Sequence, residues 1–326
     1  MRDLRITKES WLWTTICCTI FMVLTMTFLA SPCLFAAQGG KQKTFSSADE
    51  AVRALILAAK SDNMKELVGI FGPAGKEVLF SGDPVRDRMG RQEFLRAFDE
   101  KNSLIKEGTD KIILQIGNDG WPFPIPIVQK HGKWFFDTKA GKEEIINRRI
   151  GKNELDTIQV CLAYVDAQRE YAQKDIDKDG LNEYAQKIVS DEGTKDGLYW
   201  KSKEGEDESP LGNFVAGATR EGYRKTGTKP VPYHGYYYKI LKAQGQDAPG
   251  GAVNYVVNGK MIGGFAMIAW PAQYGSSGIM TFIVNHDGVV YQKNLGKNTA
   301  KLVEAIAVYN PDATWKKAEE MKPVLK

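Results

Sequence analysis

Between Asn153 and Gln186 the chain runs from a helix-forming segment into Asp175-Ile176-Asp177-Lys178-Asp179-Gly180. This stretch joins two halves of different composition and carries the constellation with recognisable site chemistry. Asn153 is expected to cap the helix by accepting a first-turn N–H. Glu154 and Asp156 then stand where negative charge suits the helix dipole. Leu155, Ile158, Leu162 and Val165 recur at three- and four-residue spacing and define a buried face, widened by Cys161, Tyr164 and Tyr171.

The acidic run matches the first half of an EF-hand-type calcium loop, with Gly180 at the sharp turn. In that register the ligands are Asp175, Asp177, Asp179, the backbone carbonyl of Leu181, and Glu183 directly or through water. Gln186 stands at the twelfth position, where a bidentate Glu is usual. A neutral amide there predicts weak binding, roughly 0.1–1 mM, unless Glu183 closes a shorter loop by itself. The competing reading is a solvated turn in which the Asp side chains bond their own backbone. Three carboxylates so close repel one another unless a positive charge sits between them, and Lys178 is little compensation. Calcium here would be structural, since no nucleophile or base stands nearby.

Arg2, Arg5 and Lys8 precede an uncharged run from Ser10 to Ala37, which predicts a signal peptide over residues 1–37, cleaved near Ala36-Ala37. The run is also long enough to anchor the chain in the inner membrane through residues 10–37. Net charge is +4 overall and +3 without that segment, spread along the chain, so no basic patch points to nucleic acid. Three of the four cysteines lie in the segment, and Cys161 is left without an internal disulfide partner. It reads as a small buried hydrophobe.

Residues 38–46 read as a linker. Ser47 with Glu50 forms a capping box for a first helix; a second carries Leu67, Val68 and Phe71, and a third starts near Val85. Lys111–Ile116 reads as a strand. The alternation of proline with large apolar residues in Trp121-Pro122-Phe123-Pro124-Ile125-Pro126-Ile127 restricts that run to a sheet edge or a polyproline-like rail. Past the acidic loop, Tyr184–Val189 reads as a short helix and residues 191–212 as a surface loop with an acidic tip at Glu204–Glu208. Strands follow at Tyr236–Leu241, Gly263–Trp270, Met280–Val284 and Val289–Tyr291, with turns at Asn258-Gly259 and Asp287-Gly288. A last helix carries Leu302, Val303, Ile306 and Tyr309. His131, His234 and His286 sit at turns without zinc-ligand spacing. Gly275-Ser276-Ser277-Gly278 lacks the Gly-x-Ser-x-Gly pattern of a nucleophile elbow.

Helices followed by a hairpin ending in Gly132-Lys133-Trp134 resemble the cone-shaped, cystatin-like folds of the nuclear-transport-factor-two type. The helix, acidic loop and meander with a second Asp-Gly turn, from Asn153 to about Leu295, resemble the globular head of type IV pilins and type II secretion pseudopilins. About 100 residues separate that head from the hydrophobic N-terminus, unlike a pilin. Further runs are Arg148-Arg149-Ile150-Gly151-Lys152-Asn153-Glu154-Leu155, Tyr164-Val165-Asp166-Ala167-Gln168-Arg169-Glu170-Tyr171, Pro232-Tyr233-His234-Gly235-Tyr236-Tyr237 and Asn258-Gly259-Lys260-Met261-Ile262-Gly263-Gly264-Phe265-Ala266. With Trp121–Pro126, they resemble a bacterial exported family known as a domain of unknown function, number twenty-nine fifty, from about Phe45 to Trp315. That resemblance implies export and supplies no activity.

The expected class is therefore α+β: an N-terminal cystatin-like domain over 47–150, then a helix plus antiparallel pilin-head-like sheet over 151–315, and a tail over 316–326. The expected function is a non-enzymatic periplasmic scaffold or binding protein, partnered by a small ligand or an envelope protein, with a structural calcium loop. The alternatives are a periplasmic hydrolase, with a cleft between the halves using His234 and the tyrosines of Tyr233–Tyr238, or a membrane-anchored accessory of a secretion or pilus system.

Overall fold

The structure, a computed structural model, describes residues 41–202, 208–223 and 230–318. The expected signal or anchor segment, most of the acidic tip and most of the tail lie outside these residues. The architecture is α+β, with helices and antiparallel sheets. Among the described residues no helix is long and apolar enough to cross a membrane.

Ser47 opens α1 (Ala48–Lys60), its hydroxyl accepting from Glu50 N at 3.1 Å. Half of the expected box forms, because the Glu50 carboxylate turns instead to Ser46 N at 2.8 Å and to the Ser46 hydroxyl. Asn63 caps α2 (Met64–Phe71), and α3 (Gly75–Leu79) follows. Asp83 caps α4 (Pro84–Glu100), with proline in the first turn, where an N–H would go unpaired anyway.

Strands β1 (Asn102–Glu107), β2 (Lys111–Ile116), β4 (Ile127–Lys130) and β5 (Lys133–Phe136) pair antiparallel in that order, and β3 (Trp121–Pro122) joins the end of β2. The proline run is thus split. Phe123 N still donates to Leu114 O at 2.8 Å, and ladder pairing resumes at Ile127, past Pro124 and Pro126, which have no N–H to give. Leu55, Leu67, Ile70, Leu114, Ile125, Ile127 and Phe136 form the core of this half. Phe45 exchanges backbone bonds with Trp134, so the end of the polar stretch before α1 adds an edge to β5.

The long helix α5 (Thr138–Tyr171) starts well before Asn153 and spans roughly 51 Å. Its cap is Asp137, which accepts from Ala140 N at 3.3 Å. Near its start Gly141 meets the proline run so closely that a Cβ would lie 2.2 Å from Pro124 O. Asn153 is therefore no cap; it is fully buried in mid-helix. The buried seam is Ile150, Asn153, Thr157, Cys161, Tyr164, Gln168 and Tyr171, a three-four repeat that includes three polar side chains. The apolar stripe read from the sequence is rotated from it: Val165 is buried, Ile158 and Leu162 pack at its margin, and Leu155 is exposed.

The second sheet has the order β14-β13-β12-β11-β6, from β6 (Tyr236–Leu241), β11 (Ala266–Pro271), β12 (Thr281–Asn285), β13 (Tyr291–Lys293) and β14 (Lys316–Lys317). Helix α5 packs on β11 and β12, which are buried along most of their length and so read as unbroken apolar runs. The pairs β7 (Ala243–Gln244) with β8 (Val253–Asn254) and β9 (Val256–Val257) with β10 (Lys260–Met261) extend from this half. Asn258 and Gly259 both take positive φ in the turn between β9 and β10.

Three local expectations change. Tyr184–Val189 is not helical: Tyr184 N donates to Met261 O and Ala185 exchanges bonds with the buried Gln168 amide, which holds the segment extended. The stretch read as a surface loop sends Leu198, Trp200 and Leu211 into the core and then forms α6 (Gly212–Glu221). The last helix, α7 (Thr299–Ala305), stops before Ile306 and leaves Leu302 exposed.

Candidate functional site

The acidic loop hangs between Gln168 and the β9–β10 hairpin. Asp175, Asp177 and Asp179 each bring a carboxylate oxygen within 4.8 Å of the others. Asp175 accepts from Asp179 N (3.1 Å) and Gly180 N (2.8 Å), and Asp179 from Leu181 N (3.0 Å), the Asx-type bonding of a tight turn. The charge is balanced from β10. The Lys260 ammonium pairs with Asp177, with Asp179 at 2.7 Å and with Glu183 at 3.0 Å. These bonds raise the lysine's pKa, and the Lys260 hydrogen bond lowers that of Asp177. Gln186 faces away, donating to Gly259 O at 2.7 Å and accepting from Lys242 Nζ at 2.9 Å. The three Asp carboxylates converge as ligands of a hard cation would, but Asp177, Asp179 and Glu183 all pair with Lys260, and Gln186 is held by Gly259 and Lys242. Lys260 had no signal from spacing, since it lies far along the chain and reaches the loop through the Asn258-Gly259 turn.

A second polar cluster forms where α4, α5 and the Tyr233–Gly235 turn meet. The Arg86 guanidinium, buried, donates from Nε to Asn153 Oδ1 (3.2 Å) and from Nη2 to Asp156 Oδ2 (3.1 Å). Asn153 Nδ2 donates onward to Ser277 O at 2.9 Å. His234 and Gly235 take positive φ, as a turn there requires. The imidazole nevertheless points inward from that turn. Its Nδ1 lies 2.8 Å from Asp156 Oδ2 and its Nε2 3.2 Å from Glu221 Oε2, with the Tyr233 ring edge-on at 4.1 Å. Burial works against the Asp156 charge, but the bond and charge of His234, with Arg86 and Lys152, hold its pKa below the usual carboxylate range. The group facing Nε2 is a carboxylate, not a hydroxyl or thiol.

Asp83 completes this junction. One carboxylate oxygen caps α4 through Val85 N and Arg86 N; the other accepts from Tyr223 OH and Gly235 N, both at 2.8 Å. Burial raises the pKa of Tyr223, and the Asp83 charge adds to it. Elsewhere, burial alone raises the Cys161 thiol to about 12, which leaves it inert.

A cleft of about 760 Å³ opens in the first half. Its floor is Leu55, Leu67, Phe71, Phe94, Ile116 and Phe123, from α1, α2, α4 and the sheet. Phe94 and Phe123 lie 5.2 Å apart by ring centroids, and Phe71 and Phe123 6.4 Å. Its rim carries Trp121, Ile145, Arg148, Arg149 and Lys152, and its inner end reaches Arg86 and Asn153 of the junction. Arg148 lies over the Trp121 ring at 4.6 Å. An apolar floor with a few convergent polar groups is the usual form of a small-molecule site, and the volume falls within the usual range. The individual residues were visible in the sequence as core and helix surface; which of them line a common space was not.

A family model described as Protein of unknown function (DUF2950) matches residues 42–318. No curated protein and no solved structure matches the chain.

Proposed function

This chain belongs to the family described as Protein of unknown function (DUF2950), and we propose that it acts as an exported, non-enzymatic binding protein whose ligand sits in the cleft of its first half. The observation that carries this reading is the cleft itself: about 760 Å³, floored by aromatic and aliphatic side chains and edged by cations. Export is supported by the basic, then apolar, then small-residue order of residues 1–37. The finer cystatin-like reading of the first half is supported by helices preceding an antiparallel sheet of order β1-β2-β4-β5. The pilin-head reading of the second half is supported by one long helix laid on an antiparallel meander.

The acidic loop is proposed as a weak structural calcium site held by Asp175, Asp177 and Asp179. There the ion would supply the positive charge that Lys260 otherwise provides. The decisive test of the binding role is a ligand screen by thermal shift and native mass spectrometry. A ligand of the cleft raises the melting temperature of the folded protein, and Ala97→Trp, which fills the cleft from α4, abolishes that rise. A panel of hydrolase substrates gives no turnover. Turnover lost in His234→Gln would instead support the hydrolase alternative.

A further inference from the structure

The charge pattern of the cleft narrows the chemistry of its occupant. Resting on the binding role above, we propose that the cleft takes an acyl-chain carboxylate, a fatty-acid anion, with its tail on the Phe71, Phe94 and Phe123 floor and its head on Arg149. Five cationic and four anionic side chains line the space. Four of the cations already face a carboxylate: Arg86 with Asp156, Arg91 with Asp62, Arg148 with Glu144 and Lys152 with Glu93. Arg149 differs. It donates from Nη1 to Glu77 O and Ser276 Oγ, both at 3.3 Å, and from Nη2 to Val78 O, all neutral oxygens. A guanidinium has five N–H donors, so its Nε–H and one Nη2–H have no acceptor among the described residues. Asp87, on the same lining, acts on Arg149 by its charge but makes no hydrogen bond to it; its carboxylate accepts from Ser81 N, at 3.0 and 3.2 Å.

A neutral apolar molecule would cover the floor and leave the Arg149 donors unmet. A small anion would meet the donors and leave the floor wet. An amphiphile with a carboxylate does both, and the exposed Trp121 beside the rim gives its chain an apolar path inward.

The test titrates the full-length chain with laurate, 1-dodecanol and acetate by calorimetry. The expected result is saturable one-site binding of laurate, with dodecanol about tenfold weaker or more, the scale of one charge-assisted pair, and acetate without heat. Arg149→Gln lowers laurate affinity to that of dodecanol, Arg149→Lys recovers part of it, and Ala97→Trp removes both. Equal binding of laurate and dodecanol by the natural chain overturns the anion assignment and leaves the binding role standing. Binding of neither overturns the assignment, and the broader role falls only if the ligand screen is also empty. Laurate binding that survives Ala97→Trp places the ligand elsewhere and overturns the proposal. Should Arg149→Gln not fold, the comparison of laurate with dodecanol on the natural chain decides.

Discussion

At the scale of single residues, Lys260 is the side chain on which the acidic loop turns. A divalent ion among Asp175, Asp177 and Asp179 competes with an ammonium already paired to two of them. Removing that competitor should help the ion. Lys260→Met is expected to enlarge the rise in melting temperature produced by millimolar calcium, while Asp177→Ala with Asp179→Ala abolishes it. If Lys260→Met melts identically with and without calcium, the loop is held by the lysine alone and binds no ion. The clustering of the three aspartates was legible because it is written within five consecutive residues. Lys260 and the diversion of Gln186 to Gly259 and Lys242 were not, because they depend on which hairpin folds over the loop.

At the scale of elements, the helix starts show what local sequence conveys. Ser47 and Asp83 both precede helices and both cap them, yet their weights differ. The Ser47 hydroxyl serves one N–H at the surface, so Ser47→Ala should cost about 1 kcal/mol or less. The Asp83 carboxylate is buried and accepts four bonds, two of them from residues more than a hundred positions away. Asp83→Ala leaves Tyr223 OH and Gly235 N without their acceptor, and should cost roughly 3 kcal/mol or more. Urea titration of the two variants checks this, and equal losses would reduce Asp83 to an ordinary cap. Helix α5 carries the complementary lesson. Its existence was plain from periodicity, and Cys161, Tyr164, Val165 and Tyr171 are buried as expected, but Asn153 was read as a cap and the polar Thr157 and Gln168 did not enter the buried face. Each is inside because a distant partner satisfies it or its own helix does: Ser277 O, Ala185 and the Asn153 carbonyl, respectively for Asn153, Gln168 and Thr157. Hydropathy cannot find such positions, because burial there follows from hydrogen bonds made elsewhere in the fold.

At the scale of the molecule, there are two apolar cores, joined by α5, by the polar junction around Arg86, Asp83 and His234, and by the contact of residues 80–82 with residues 272–276. The α+β class and the order of elements were readable from the sequence, whereas this junction was not, since its members come from five separate stretches. Coupling through a few charged groups makes cooperative unfolding sensitive to pH. The folded-state pKa of Asp156 is depressed, so its stabilising contribution is complete above the unfolded value of about 3.9 and is lost as pH falls through the lower folded value. Burial raises the pKa of Asp87, so that group destabilises at neutral pH and is relieved as acid protonates it, at a higher pH than Asp156. Scanning calorimetry should therefore show one transition at neutral pH, which separates into two below about pH 4 as the junction loses its charge. Asp156→Asn, which keeps the shape and removes the charge, should bring that separation up to neutral pH. A single transition in the variant at every pH would mean that α5 and the neutral contacts couple the cores, and that the charged cluster contributes packing without cooperativity.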